Sequence, residues 1–199
     1  MTVIDCAVDT VITTIHTGPD PAALCWNPYD NKVYSANKDT ATVTVTECAT
    51  NTVAAAVFVG AAPVAACHDS AGNRVYCAAR DSGTVAAIDG GSNTVVATIP
   101  VGVGPYDVCW VSRHNRVFVA DHNSGEVTVI DCAANAVIAT VSVGAGPIRL
   151  CHNPQGDKVY TANANGSTVT VLHPTTGVVE SRKPQAARLE QRSCAGCCG

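Results

Sequence analysis

The sequence predicts an all-β protein: a β-propeller built from 42-residue blades of four strands each. Three observations carry this. The segment "NKVYSAN" at residues 31–37 returns as "NRVYCAA" at 73–79, "NRVFVAD" at 115–121 and "DKVYTAN" at 157–163, always 42 residues on. The same step links Pro21, Pro63, Pro105 and Pro147, then Cys25, Cys67, Cys109 and Cys151, then Asp5, Glu47, Asp89 and Asp131. Within each unit, short runs rich in Val and Thr alternate with Gly, Pro, Asn and Asp at strand-and-turn spacing. A fixed period in this range marks a repeat architecture, and four strands in about 40–45 residues is the arithmetic of a propeller blade. A β-solenoid competes, but its coils are usually shorter and need fewer turns. No insertion breaks the register between residues 2 and 179, which excludes two unrelated domains.

In order, the chain opens half-way through a blade (2–18), with a third and a fourth strand. Complete blades follow at 19–60, 61–102 and 103–144, then a last one at 145–179 with a weak fourth strand, "GVVES". In the first complete blade, "PAALCWN" (21–27) is the first strand and "NPYDN" (27–31) a turn of turn-forming residues. "KVYSAN" (32–37) is the second strand. "ATVTVTE" (41–47) alternates with period 2 and is the third. "TVAAAVFV" (52–59) is the fourth, and "GAAP" leads onward. No helix is expected before residue 180. The count is about four and a half blades, an open or incomplete ring. The non-repeat tail, 180–199, is expected to be disordered.

The unit "KVYSAN…ATVTVTECATNTVAAAVFVGAAP" resembles the YVTN-type β-propeller repeat of archaeal surface-layer proteins and related secreted bacterial proteins. The motif stands here as Tyr34-Ser35-Ala36-Asn37, Tyr76-Cys77-Ala78-Ala79, Phe118-Val119-Ala120-Asp121 and Tyr160-Thr161-Ala162-Asn163. The resemblance implies a propeller at the cell surface or outside the cell. It implies no activity, because a fold does not fix function. Propellers of that family usually have about seven blades, more than this chain supplies. The start "MTVIDC" is already a strand and has neither a basic nor an apolar leader region. That leaves two readings, a signal lost by truncation or a cytoplasmic protein.

The hairpin "NKDTA" sets a register. If 37 pairs near 42, Lys32 falls opposite Glu47, Arg74 opposite Asp89, and Arg116 opposite Asp131. Such cross-strand charge pairs contribute from a few tenths to about 1 kcal/mol. They also oppose a one-residue slip, which would reverse every side chain. Lys158 meets His173 where the acid should be, and Asp5 has no upstream cation. The unpaired "TVID" (2–5) could close a four-bladed ring against "DKVYTAN". The chain's own "STVTVL" (167–172) competes through a shorter loop at lower entropic cost. The local hairpin is the expected winner. It leaves two apolar ends and favours self-association, two arcs completing a ring of eight or nine blades.

Composition narrows the function. The chain is 47% hydrophobic but only 5% aromatic, which suits flat sheets stacked about 10 Å apart. A net charge of −4 gives no footprint for nucleic acid. The longest uncharged run, 48–67, contains Pro63 and polar residues, so no membrane insertion is expected. Cys25, Cys67, Cys109 and Cys151 occupy one site in successive blades and Cys6, Cys48 and Cys132 another. Stacked sheets hold equivalent positions too far apart for a disulfide. The first set is expected to be buried, reduced and unpaired. Cys77, on the strand beside Cys67, is read as lying on the same face, where a bridge is possible but not favoured.

Little catalytic chemistry recurs. Trp26, His68, Trp110 and His152 follow the inner cysteines, but two histidines are too few to hold a metal. A half-buried histidine serving the neighbouring turn is the plainer reading. Cys194, Cys197 and Cys198 in the tail contain one C-x-x-C without a second pair, pointing to exposed thiols that link chains under oxidising conditions. "NGS" at 165–167 matches a glycosylation signal, weak on its own. The loops from fourth to first strand and from second to third emerge on one side. That side carries Lys38, Asp39, Arg80, Asp81, His122 and Asn123, which vary between copies as an asymmetric interaction face requires.

The leading expectation is a non-catalytic propeller scaffold, a structural or protein-interaction module with no metal or cofactor, binding a protein partner or itself. The alternative is an enzyme or sensor, lactonase-like or oxidoreductase-like, with a small molecule or metal at the propeller mouth. Its mark would be acidic or His residues converging from several blades. For the charge column the expectation is that Arg74→Ala costs no more than about 1 kcal/mol in a denaturation titration, because strand ends are wet.

Overall fold

The computed structural model describes residues 1–175. The expected fourth strand "GVVES" and the tail 180–199 lie outside the described residues. The rest forms antiparallel sheets linked by short turns. Strands β1 (Thr2–Asp5) and β2 (Thr10–Thr14) make a two-stranded sheet. Three four-stranded sheets follow in simple meander order. The first holds β3 (Pro21–Asn27), β4 (Lys32–Asn37), β5 (Thr42–Glu47) and β6 (Thr52–Phe58). The second holds β7 (Pro63–Asp69), β8 (Arg74–Ala79), β9 (Thr84–Asp89) and β10 (Thr94–Pro100). The third holds β11 (Pro105–Val111), β12 (Arg116–Asp121), β13 (Glu126–Asp131) and β14 (Ala136–Ser142). The last sheet holds β15 (Pro147–Asn153), β16 (Lys158–Asn163) and β17 (Thr168–Leu172). β16 pairs with β17, so the local hairpin wins over "TVID". Contrary to the all-strand expectation, single-turn 3-10 segments stand at Lys38–Thr40, Ser112–His114 and Ala164–Gly166.

Turn chemistry explains why each strand stops where it does. Left-handed residues recur with the repeat: Asn31, Asn73, Asn115 and Asp157 after the first strand, and Asn51, Asn93 and Asn135 after the third. Asn and Asp tolerate this conformation better than other side chains. Proline opens each first strand, where its missing N–H breaks no ladder. A bulge follows at once. The pairing steps from Pro21↔Asn37 to Ala23↔Ala36, and the same step recurs in β7, β11 and β15. Ala22, Val64, Tyr106 and Ile148 are the extra residues, which a bulge re-aims out of the regular pleat.

The core lies between sheets. A four-stranded sheet has two faces, and the second and third of these sheets have both covered by a neighbour. Tyr34, Ala36, Val43 and Val45 pack against Val75, Cys77, Ala86 and Ile88. Tyr76, Ala78, Val85 and Ala87 pack against Val117, Val119, Ile130 and Cys132. Phe118, Val127 and Val129 pack against Val159 and Leu172. Among the described residues the cysteines are free. Two expectations about them fail. Of the first set only Cys25 is buried, Cys67 and Cys109 are half-buried, and Cys151 is exposed, because among the described residues no further sheet covers the outer face of β15. Cys77 pairs with Ala66 while Cys67 pairs with Tyr76. The two cysteines therefore serve opposite faces, one toward each neighbouring sheet.

The charge column has the predicted register: Lys32↔Glu47, Arg74↔Asp89 and Arg116↔Asp131 are cross-strand pairs. Its head groups behave differently. Lys32 lies 3.8 Å from Glu47, but its Nζ donates to the Gly90 carbonyl at 2.8 Å and to Asn93 Oδ1 at 3.2 Å. Arg74 donates to the Cys132 carbonyl at 2.6 Å and to Asn135 Oδ1 at 3.4 Å. Arg116 donates to the carbonyls of Pro174 and Thr175. Each cation thus reaches the turn after the third strand of the next sheet. Tyr34 and Tyr76 add hydroxyl bonds to the same asparagines, at 3.4 and 2.8 Å. The acids turn instead to their own turns, Asp89 accepting the Ser92 N–H and Asp131 the Ala134 N–H, each at 2.8 Å.

This geometry revises the expected cost of losing Arg74. A charge-assisted bond to a buried carbonyl contributes about 1.5–3 kcal/mol. Arg74→Ala should destabilise the fold by about 2 kcal/mol in a urea titration. A loss below about 0.5 kcal/mol would show that the inter-sheet bonds do not form in solution. The cysteines give a second check. Burial pushes the Cys25 and Cys77 thiols up to about 12, and the thiolate is the reactive form. A maleimide titration of native protein should label Cys151 rapidly and Cys25 and Cys77 only after denaturation.

Candidate functional site

The hairpin tips after β4, β8, β12 and β16 form one end of the stack. Each tip is fixed over the loop entering its own sheet. The amides of Lys38, Arg80, His122 and Ala164 donate to the carbonyls of Asp20, Ala62, Gly104 and Gly146 at 2.8–3.0 Å. Glycine at 104 and 146 suits the left-handed conformation that Asp20 and Ala62 also adopt. The tip side chains are therefore held close to the bulged residues of the innermost strands.

Two clefts result. The first, of about 230 Å³, is lined by Asp20, Ala22, Lys38, Val64, Arg80, Tyr106 and Arg149. Lys38 Nζ bonds to Asp20 Oδ2 at 2.9 Å, which raises the lysine pKa. Arg80 is paired with Asp81 at 2.7 Å, which lowers the Asp81 pKa. The Arg149 guanidinium lies 5.9 Å from the centroid of the Tyr106 ring, within cation–π range. Tyr106 also meets His122, ring centroids 5.8 Å apart. The second cleft, of about 330 Å³, is lined by His122, Asn123, Ser124, Gly125, Ala145, Gly146 and Asn165.

The structure thus divides the six residues singled out from the sequence. Lys38 and Arg80 share the first cleft, and His122 and Asn123 the second, where His122 Nδ1 lies 2.9 Å from Asn123 Oδ1. Asp39 and Asp81 are exposed and line neither. Sequence reading missed Asp20, Tyr106 and Arg149. A signal existed: Tyr106 stands where other repeats have Ala22, Val64 and Ile148, and Arg149 where they have Ala23, Ala65 and Asp107.

The inner histidines do not meet. His152 lies at the opposite end of its strand, 4.0 Å from Asp157, which His114 bonds at 2.9 Å. Burial lowers the His152 pKa and favours its neutral form. His68 Nε2 is buried without a protein partner. Among the described residues no three His, Cys, Asp or Glu side chains are grouped to hold a metal.

Beneath the tips runs a polar column that is interrupted by Ala79 in the second repeat and carries one acidic member. Asn37 Nδ2 donates to Thr44 Oγ1 at 2.8 Å, and Asn163 Nδ2 to Thr170 Oγ1 at 2.9 Å. In the third repeat the residue is Asp121, fully buried, and Thr128 Oγ1 donates to its Oδ2 at 2.6 Å. Burial pushes the Asp121 carboxyl up to about 6, and the threonine bond offsets this only in part.

No family's sequence pattern matches this chain, and no curated protein does. The fold is similar to a solved structure of Kuenenia stuttgartiensis hydrazine synthase, with a TM-score of 0.74 at 18% identity, over 84% of this chain and 50% of that one. The likeness shows the fold alone, a β-propeller-like repeat architecture. The chain spans about half the length of the chain it matches.

Asp121 yields a prediction with a definite sign. A carboxyl whose folded pKa exceeds its unfolded value contributes stability below the unfolded value, and that contribution is lost as pH rises through the folded value. The loss here falls between about pH 4 and pH 6. Asp121→Asn restores the donor used by the repeats' own asparagines. It should raise stability by about 1–3 kcal/mol at pH 7 and change it little at pH 4. Thermal melts at the two pH values check this, and an equal effect at both would contradict it.

Proposed function

We propose that the protein is a non-catalytic propeller scaffold of cell-surface type, an open arc of about four and a half blades whose ends join a second copy of the chain. The observation that carries this is a single position read through the repeat. Val43, Val85 and Val127 are fully buried, whereas the equivalent Val169 is 64% exposed. The other end shows the same unfinished burial. Leu24 is 58% exposed, and Val108 at the equivalent position is 7% exposed. A cleft of about 500 Å³, lined by Ile15, Leu24, Trp26, Val33 and Cys48 among others, opens beside β1 and β2. It lies where the first two strands of a complete preceding sheet would pack.

Exposed apolar faces of a size that normally buries a neighbour mark interaction sites. The two ends are the two sides of one repeating interface, so one copy's last sheet fits another copy's first in a head-to-tail contact. The resemblance of the repeat to the YVTN type supports an extracellular setting. The varied tips of the clefts supply the face for a further partner.

Light scattering across about 1–100 µM tests this. The expected mass is at least twice the 20.3 kDa of one chain, falling to a monomer in Val169→Glu. A single monomeric species throughout, unchanged by Val169→Glu, would overturn the proposal.

A further inference from the structure

We infer that the 230 Å³ cleft at the hairpin-tip end binds a small organic polycarboxylate, held by Lys38, Arg80 and Arg149 against the face of Tyr106. The site draws on the whole arc. Lys38 follows β4, Arg80 follows β8, Tyr106 lies in β11 and Arg149 in β15, so each of the four larger sheets contributes one of these groups. Three cations and one acid, Asp20, line the cleft of a chain whose net charge is −4.

The donors are not consumed by the fold. A guanidinium carries five N–H donors. Arg149 uses one on the Ile148 carbonyl at 3.2 Å and makes no ion pair within 4 Å among the described residues. Arg80 uses two on Asp81, and its other N–H groups have no protein partner among the described residues. Lys38 and Arg80 are held with side chains only 35% and 32% exposed, so less water screens them than at an open surface. Nor does the fold require these residues. Alanine stands at positions 23 and 65, equivalent to Arg149, and at 164, equivalent to Lys38 and Arg80.

The chemistry of the ligand follows from the lining. Planar guanidinium forks match carboxylates in two-point contacts. Ala22, Val64 and the Tyr106 ring offer an apolar wall for a carbon frame. The volume is below the roughly 300–1,000 Å³ of pockets for drug-sized ligands, which selects a compact anion. The inference rests on the tips being a binding face. It does not depend on assembly, because one chain supplies every group named.

Isothermal titration of the full chain with citrate at about 50 mM ionic strength tests it, since screening weakens such contacts at higher salt. Saturable binding at one site per chain is expected. Arg149→Gln and Arg80→Gln should each weaken it by at least about tenfold, with melting curves confirming that both variants fold. Arg113→Gln, at the opposite end of the stack and 63% exposed on its side chain, should leave it unchanged. Absence of saturation up to about 10 mM citrate would overturn the site. So would an equal loss in Arg113→Gln, which would mean diffuse charge attraction. Orthophosphate binding as tightly as citrate would overturn the polycarboxylate assignment, as would a poly-glutamate peptide binding more tightly. A monomer that still binds citrate would separate failure of the assembly proposal from failure of this one.

Discussion

Everything in this stack depends on bonds that cross from one sheet to the next. A four-stranded sheet of 42 residues has two apolar faces and no way to bury either alone. Burial between sheets is non-directional and would tolerate sliding. The second-strand cations remove that freedom. Lys32 and Arg74 each reach a carbonyl and an asparagine in the next sheet's turn, and the tyrosine two residues on reaches the same asparagine. Those turn carbonyls would otherwise face a crowded boundary unpaired, at a cost of about 1–3 kcal/mol each. The left-handed asparagines that close the turns thus also serve as receptors for the preceding sheet. Turn chemistry and sheet stacking are one requirement expressed twice.

Much of this was legible in the sequence. "PAALCWN" and "KVYSAN" are strands over the residues read, and the hairpin register of Lys32 and Glu47 follows from counting across the turn. The destination of the cations was not legible, and the reason is geometric. In a chain of period 42, a contact within one sheet and a contact one repeat further on recur with equal regularity. Residue 32 opposite 47 and residue 32 reaching 90 look alike in sequence. Only the stacking direction separates them. The face of Cys77 was misread for a related cause. The turn at 69–73 sets the parity of that hairpin, and a shift of one residue exchanges faces.

The clefts were half legible. Variation among the tips drew attention to Lys38, Arg80, His122 and Asn123, and the structure places all four in clefts. Tyr106 and Arg149 lie in strands, where variation reads as packing rather than as a site. What brings them to the mouth is the bulge, a feature with no composition of its own beyond the preceding proline. Asp121 shows the converse. It breaks a column of amides in a buried position, and its raised pKa marks the exception more sharply than its sequence does.

The bulge has one more consequence. Ala22, Val64, Tyr106 and Ile148 range from a methyl group to a phenol, yet the strand pairing on either side of each is the same. The extra residue stands outside the ladder and outside the buried clusters that stack the sheets. Side chains that share no partners contribute additively. The character of the mouth and the cohesion of the stack are therefore separable variables. A single strand carries both, and either changes without reopening the other.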